Sequence, residues 1–267
     1  MSSRARFRRS TIALSCLLTA IAARPGQSQM SKQAPISAPD SQAQAELGRI
    51  IAGLFSDTSS HMRMGPTRTA TVADSARAAA IVVATRTALS RYMDVKLAER
   101  DGYYRTMASL EDLPIYHYNS LPNFNAASQG NFDLTKPVSL LYQKDTQGQM
   151  KLVGAMYAAR DGAAPTQLDS LLPISMAHWH EHVNLCYPYR GPRKLDASAV
   201  FWLKLYFSIT SASECAAAGG QFVPSDAGWM AHIYMFAGDG DPKVIWDTDD
   251  AGNMNAHAGH RAMDVRP

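Results

Sequence analysis

The stretch Val138-Ser-Leu-Leu-Tyr-Gln-Lys-Asp-Thr-Gln-Gly-Gln-Met-Lys-Leu-Val-Gly-Ala-Met-Tyr-Ala-Ala159 decides the fold class. Apolar residues fill or alternate through 138–143 and again through 151–159, and a polar turn, Asp145 to Gly148, separates the two runs. That pattern predicts two strands joined as a β-hairpin. Further short apolar or alternating runs predict strands over 115–119, 177–186, 199–209 and 228–236. Upstream the texture is helical. Leu47, Ile50, Ile51, Leu54 and Phe55 recur at helical spacing after an N-cap at Asp40 or Ser41. A loop with His61, Met62 and Met64 leads to a second, alanine-rich helix over 73–100, stopped by Asp101-Gly102. Ser211 and Glu214 form a capping box for a short helix that carries Cys215 and ends at Gly219-Gly220. The expected fold is α+β, an N-terminal helix pair packed on an antiparallel β-sheet or small barrel.

Composition sets the outer bounds. With 267 residues, 46% hydrophobic and 18% charged, the chain can bury a core and is neither a disordered nor a fibrous sequence. Residues 1–22 carry Arg4, Arg6, Arg8 and Arg9 and no acid, then an apolar run from 11 to 23 with Ala20-Ile-Ala22 as a small-x-small cleavage site. This reads as a secretory signal peptide, too short to span a membrane. Arg8-Arg9 leaves both the general secretory and the twin-arginine route open. Cys16 has too few apolar residues before it, and Ala13-Leu14-Ser15 is a poor lipobox, so a lipoprotein is excluded. The rest divides into a Ser/Gln/Pro-rich linker over 23–40, one α+β domain over 41–247 (helical over 41–111, β over 112–247) and a polar, disordered tail over 248–267.

Removing the leader changes the formal charge from 26 − 23 = +3 to 22 − 23 = −1. A near-neutral mature chain gives no electrostatic case for nucleic acid, and no other stretch predicts a membrane span. The expected location is periplasmic or secreted. Cys186 and Cys215 remain after cleavage, and an even count in an oxidising compartment predicts a disulfide between them. The rival reading makes Cys186 a thiolate metal ligand, four residues after a histidine cluster.

That cluster is the sharpest chemical feature. In His178-Trp-His-Glu-His182, alternate side chains of a strand share a face, so His178, His180 and His182 point one way and Trp179 and Glu181 the other. Three imidazoles on one face are hard to justify as core, because each needs hydrogen-bond partners, and imidazole is the commonest metal ligand. At about 3.3 Å per residue the outer two lie roughly 13 Å apart. Two of the three are therefore expected on one metal, completed by His232 in Trp229-Met-Ala-His-Ile-Tyr234 or by His117 in Ile115-Tyr-His-Tyr-Asn119. Nitrogen ligands suit copper, zinc or iron, with copper and zinc favoured. Met176 and Met230, each two residues before a site histidine, would favour copper, although methionine also fills core gaps. His61-Met-Arg-Met64 is a weaker patch of the same kind. Asn119, Asn184 and Tyr234 are placed to orient a substrate or water, whereas Glu181 faces away. His257 and His260 in the tail read as solvated. There is no Gly-rich nucleotide loop, nucleophile elbow or His-Glu-x-x-His motif.

The order Leu89-Ser-Arg-Tyr-Met-Asp-Val-Lys-Leu-Ala-Glu-Arg-Asp-Gly-Tyr103, Tyr116-His-Tyr-Asn119, Pro137-Val-Ser-Leu-Leu-Tyr142, Leu152-Val-Gly-Ala-Met-Tyr157 and Trp229-Met-Ala-His-Ile-Tyr234 resembles a group of secreted bacterial proteins. They share an Asp-Gly-Tyr helix end, a His-Tyr-x-Asn strand, a Leu-Val-Gly hairpin and a late Met/Leu-His strand. The resemblance covers about residues 85–235 and brings no activity with it. It implies that His117 and His232 belong to one recurring arrangement; 192–209 departs from the pattern.

The sequence therefore predicts a secreted or periplasmic metalloprotein holding one transition-metal ion in a His-lined β pocket. An open coordination position would make it an oxidoreductase or hydrolase of a small-molecule substrate. A closed one would make it a metal carrier or sensor that meets a metal donor. The remaining alternative is a metal-free binding module.

Overall fold

The 138–159 hairpin sits inside a seven-stranded antiparallel sheet. Its turn is held by Asp145, whose carboxylate accepts the backbone N–H groups of Gln147 and Gln149, both at 2.8 Å. Gly148 supplies the positive φ of 76° that the turn requires. The structure, a computed structural model, describes residues 41–56, 58–111, 113–189 and 196–247. The leader, the linker and the tail with His257 and His260 lie outside the described residues.

The strands are β1 (Met62–Met64), β2 (Tyr104–Arg105), β3 (Tyr116–Asn119), β4 (Ser139–Lys144), β5 (Met150–Ala158), β6 (His180–Pro188) and β7 (Gly220–Ile233). Their spatial order is β1-β6-β7-β5-β4-β3-β2, with every pairing antiparallel. The helices are α1 (Ser41–Leu54), α2 (Val72–Leu89), α3 (Val95–Arg100), α4 (Leu121–Ser128), α5 (Pro165–Leu171), α6 (Ala197–Phe207), α7 (Ala212–Ala217) and α8 (Pro242–Ile245). The architecture is α+β. The sheet is open, with β1 and β2 at its edges, and is not the closed barrel allowed by the sequence.

Apart from a break on β5 between Val153 and Ala155, the period of two divides the apolar residues between two layers. Tyr116, Tyr118, Leu140, Tyr142, Tyr157, Trp179 and Ile233 face the larger core, which α2, α3, α5 and α8 cover with residues such as Ile81, Leu89, Ala98, Leu168 and Ile245. Ile115, Leu141, Val153, Met156, Met230 and Tyr234 face the other way, with Ala127 and Phe124 of α4 against them. Helix α1 packs on α6, where Leu47, Leu110 and Ala199 are buried together.

Strand β1 forms where a loop with His61, Met62 and Met64 is expected, and three further elements differ from expectation. Most of the 199–209 stretch lies in helix α6, which ends at Phe207, and none of it is a strand. Asp196 caps it by accepting the Ser198 N–H at 2.9 Å, and burial of Ala199 beside Leu47 of α1 outweighs the strand preference of its aromatic residues. The expected long helix over 73–100 is interrupted by a 3₁₀ turn at Ser90–Met93, after which Asp94 caps α3 by accepting the Lys96 N–H. Strand β7 begins at Gly220, eight residues before the expected start.

Cys186 on β6 and Cys215 on α7 form a disulfide pair, Cα atoms 5.6 Å apart, so Cys186 is not a thiolate metal ligand. The pair fits an oxidising, extracytoplasmic compartment. Among the described residues no helix is long and apolar enough to cross a membrane.

Candidate functional site

The second face of the sheet gathers histidines from three strands into one row. Ring centroids are 5.9 Å apart for His117 and His232, 5.0 Å for His232 and His180, and 5.8 Å for His180 and His182. The row ends on Phe55, just past α1, which stacks on His182 at 4.1 Å.

Bringing His117 of β3 to His232 of β7 requires curvature. Strands β4 and β5 lie between them, which in a flat sheet means about 14 Å at about 4.8 Å per strand. A centroid separation of 5.9 Å is reached because the sheet curls and this face is concave. Two irregularities contribute. The β4–β5 register shifts between Leu141 and Tyr142, beside Gly154, where a Cβ would stand 2.5 Å from the Ile233 carbonyl oxygen. The β6–β7 register shifts between His180, opposite Met230, and His182, opposite Asp226, with Ala227 and Gly228 at φ of 65° and 66°. Such a bulge bends and twists its strand.

The candidates are placed unequally. His180 and His232 are buried, 1% and 4% exposed, while His117 and His182 are partly exposed and line a cleft of about 400 Å³. His178 precedes β6 and is exposed, so the structure does not bring it into the row. Glu181 points to the opposite face, buried against Arg63, which also lies over the Trp229 ring at 5.4 Å. Asn119 lines the cleft. Tyr234 places its hydroxyl 3.4 Å from His232 Nδ1. Asn184, at φ 56°, instead donates to the Ser60 carbonyl and helps pin the approach to β1. Met176 packs against the larger core, away from the histidines.

The cleft is walled mainly by apolar side chains, among them Ile51, Phe55, Leu121, Phe124, Met156 and Met230. Its polar edge includes Tyr187, whose hydroxyl donates to Asp226 at 3.0 Å. Burial, then the facing Asp226 carboxylate, push the Tyr187 phenol above its ordinary value.

The arrangement has definite chemical capability. An imidazole bound through nitrogen at about 2.05 Å puts its ring centroid about 3.2 Å from the metal, so two such rings at angles between about 90° and 130° stand about 4.5–5.8 Å apart. The His180–His232 spacing of 5.0 Å lies well inside that window, and His180–His182 at 5.8 Å lies at its edge. Metal-ligating imidazoles commonly set their second ring nitrogen against an oxygen. His180 Nδ1 lies 3.2 Å from the His178 carbonyl, and His232 Nδ1 faces Tyr234. Among the described residues no group of three His, Cys, Asp or Glu side chains is already gathered as a ligand set.

Sequence reasoning missed Phe55, Met156 and the Tyr187–Asp226 pair at this site. Alternation counted from Leu152 would have put Met156 on the larger-core face; the irregularity of β5 beside Gly154 moves it to the histidine face, so no local signal gave its place. Comparison with known protein families, with curated proteins and with solved structures found no match to this chain.

Proposed function

We propose that this chain is an exported metalloprotein that holds one transition-metal ion between His180 and His232 on the concave face of its sheet. His182 and His117 border the same position from the cleft wall. The observation that carries the reading is the 5.0 Å centroid spacing of two buried imidazoles from adjacent strands, a spacing that suits one shared ion. The apolar cleft in front of them has the size for a small, largely apolar molecule, at the low end of the range for small-ligand pockets. With a coordination position open to the cleft, the ion would act as a Lewis acid or redox centre on that molecule. With the sphere closed by protein side chains, the protein would be a metal carrier or sensor.

The test is elemental analysis of the mature chain, residues 23–267, produced in a periplasm without a His-tag and without chelator. Near one equivalent of copper, zinc or iron is expected. His180→Ala should remove most of it while the fold is kept, and His178→Ala should retain it. Less than about a tenth of an equivalent in the wild-type chain, unchanged after metal addition and dialysis, would overturn the metal reading. The cleft would then stand as a metal-free binding site for a small apolar ligand.

A further inference from the structure

Methionines surround the histidine row in a pattern set by strand register. His180 has Met64 of β1 directly opposite on one side and Met230 of β7 on the other. His182 faces Met62 of β1 and Asp226 of β7. His232 faces Met156 of β5. His117, at the far end of the row, faces Leu141 of β4, so four of these six cross-strand positions are methionine. The chain has 13 methionines in 267 residues, so composition alone would place fewer than one there. Directly opposed residues share a face, with Cβ atoms about 4.5–5.5 Å apart, which puts each thioether within reach of the imidazole it opposes. Met230 and Met156 are buried, 2% and 8% exposed, and both also line the cleft. Met64, at the sheet edge, is 39% exposed.

Resting on the metal reading above, we propose that the ion is monovalent copper, held by the imidazoles of His180 and His232 and the thioethers of Met230 and Met156. Met62 and Met64 provide a soft-ligand approach from the β1 edge. Thioether sulfur is a soft donor that selects copper(I) over zinc, iron or magnesium, and copper(I) accepts the low, mixed nitrogen–sulfur coordination that two histidines and two methionines supply. The competing explanation is that these methionines only fill space in the core. Leucine matches methionine closely in volume and hydrophobicity, so a Met→Leu exchange removes the sulfur and keeps the packing.

The experiment uses the mature chain under anaerobic, reducing conditions. Copper(I) is measured in competition with a chromophoric copper(I) chelator and zinc(II) with a zinc indicator, for the wild type and for Met156→Leu/Met230→Leu. The double variant is expected to lose copper(I) affinity by at least about 10–100-fold while zinc affinity stays within about threefold. Unchanged copper(I) affinity, or equal losses for both metals, would overturn the thioether assignment. A wild-type chain that takes zinc or iron tightly but copper(I) no better overturns this proposal and leaves the metal reading standing; one that takes none of them ends both. Should the double variant lose its near-ultraviolet circular dichroism, X-ray absorption of the copper(I)-loaded wild type decides. Sulfur scatterers in the first shell support the assignment, and a nitrogen/oxygen-only shell refutes it.

Discussion

Removing the Cys186–Cys215 disulfide should lower stability by an amount that follows from where the two residues sit in the chain. The bridge closes a loop with a sequence separation of 29. Loop-closure entropy for a ring of that size is about 12 cal/mol/K, or about 3.6 kcal/mol at 25 °C. For a domain of about 200 residues, each kcal/mol displaces the melting temperature by about 2–4 °C, so the bridge is worth about 7–14 °C. The perturbation is Cys186→Ala/Cys215→Ala, compared with the oxidised wild type by differential scanning calorimetry. Both sulfurs are buried with Tyr206 and Ile209, and Gly220 lies so close that an added Cβ would stand 2.7 Å from the Cys186 sulfur. Loss of packing therefore adds to the entropic term, and the lower bound of the shift is the firmer figure. A double variant melting within about 2 °C of the wild type would refute the argument, since it would mean the 186–215 segment is equally constrained without the bond.

Other outcomes follow from packing and charge. Gly154→Ala should destabilise by about 1–3 kcal/mol in chemical denaturation, because the new Cβ meets backbone at 2.5 Å and not a movable side chain. Trp179→Ala empties a fully buried position and should lose about 3–5 kcal/mol; an unchanged urea midpoint would contradict its place in the core. Asp74 is held below the usual aspartate range by the Arg68 guanidinium and the Thr71 cap. Its contribution is full above the ordinary pKa of 3.8 and is lost as pH falls below that towards the depressed folded value. The urea midpoint should fall as the pH is lowered from about 4 to about 2, and Asp74→Asn should shrink that drop. Phe55→Ala removes the ring stacked on His182 and should weaken binding of small apolar ligands to the cleft, read by calorimetry, with the melting temperature little changed.

The parts of the fold written in local chemistry were legible. The 138–159 hairpin could be read because its turn and both alternating runs lie within a few residues of each other, and the Ser211 box and Gly219 marked α7 for the same reason. Helix α6 was not legible. Val200, Phe201, Trp202, Tyr206 and Phe207 carry strand preference, and what makes the segment helical is an Asp196 cap and a neighbour, α1, more than 140 residues away. The first half of β7 was hidden by Pro224, Asp226 and Gly228, turn-type residues that here accompany a bulge. Strand β1, three residues long, gives too short a pattern to recognise. At the site, the face shared by His180 and His182 could be read from alternation alone. The approach of His117 to His232 could not, because it depends on how far the intervening strands curl. The methionines opposite the histidines are likewise a matter of register, which no single strand encodes.

The two ends of the sheet carry a consequence for how readily another strand can add to it. β1 offers three residues to a neighbour and β2 only two. An incoming strand needs a longer row of exposed N–H and C=O groups to add on stably. A curled sheet with an apolar trough is an inviting template for fibril growth. Trimming both margins to stubs leaves little ledge on which the strand of a second molecule would start.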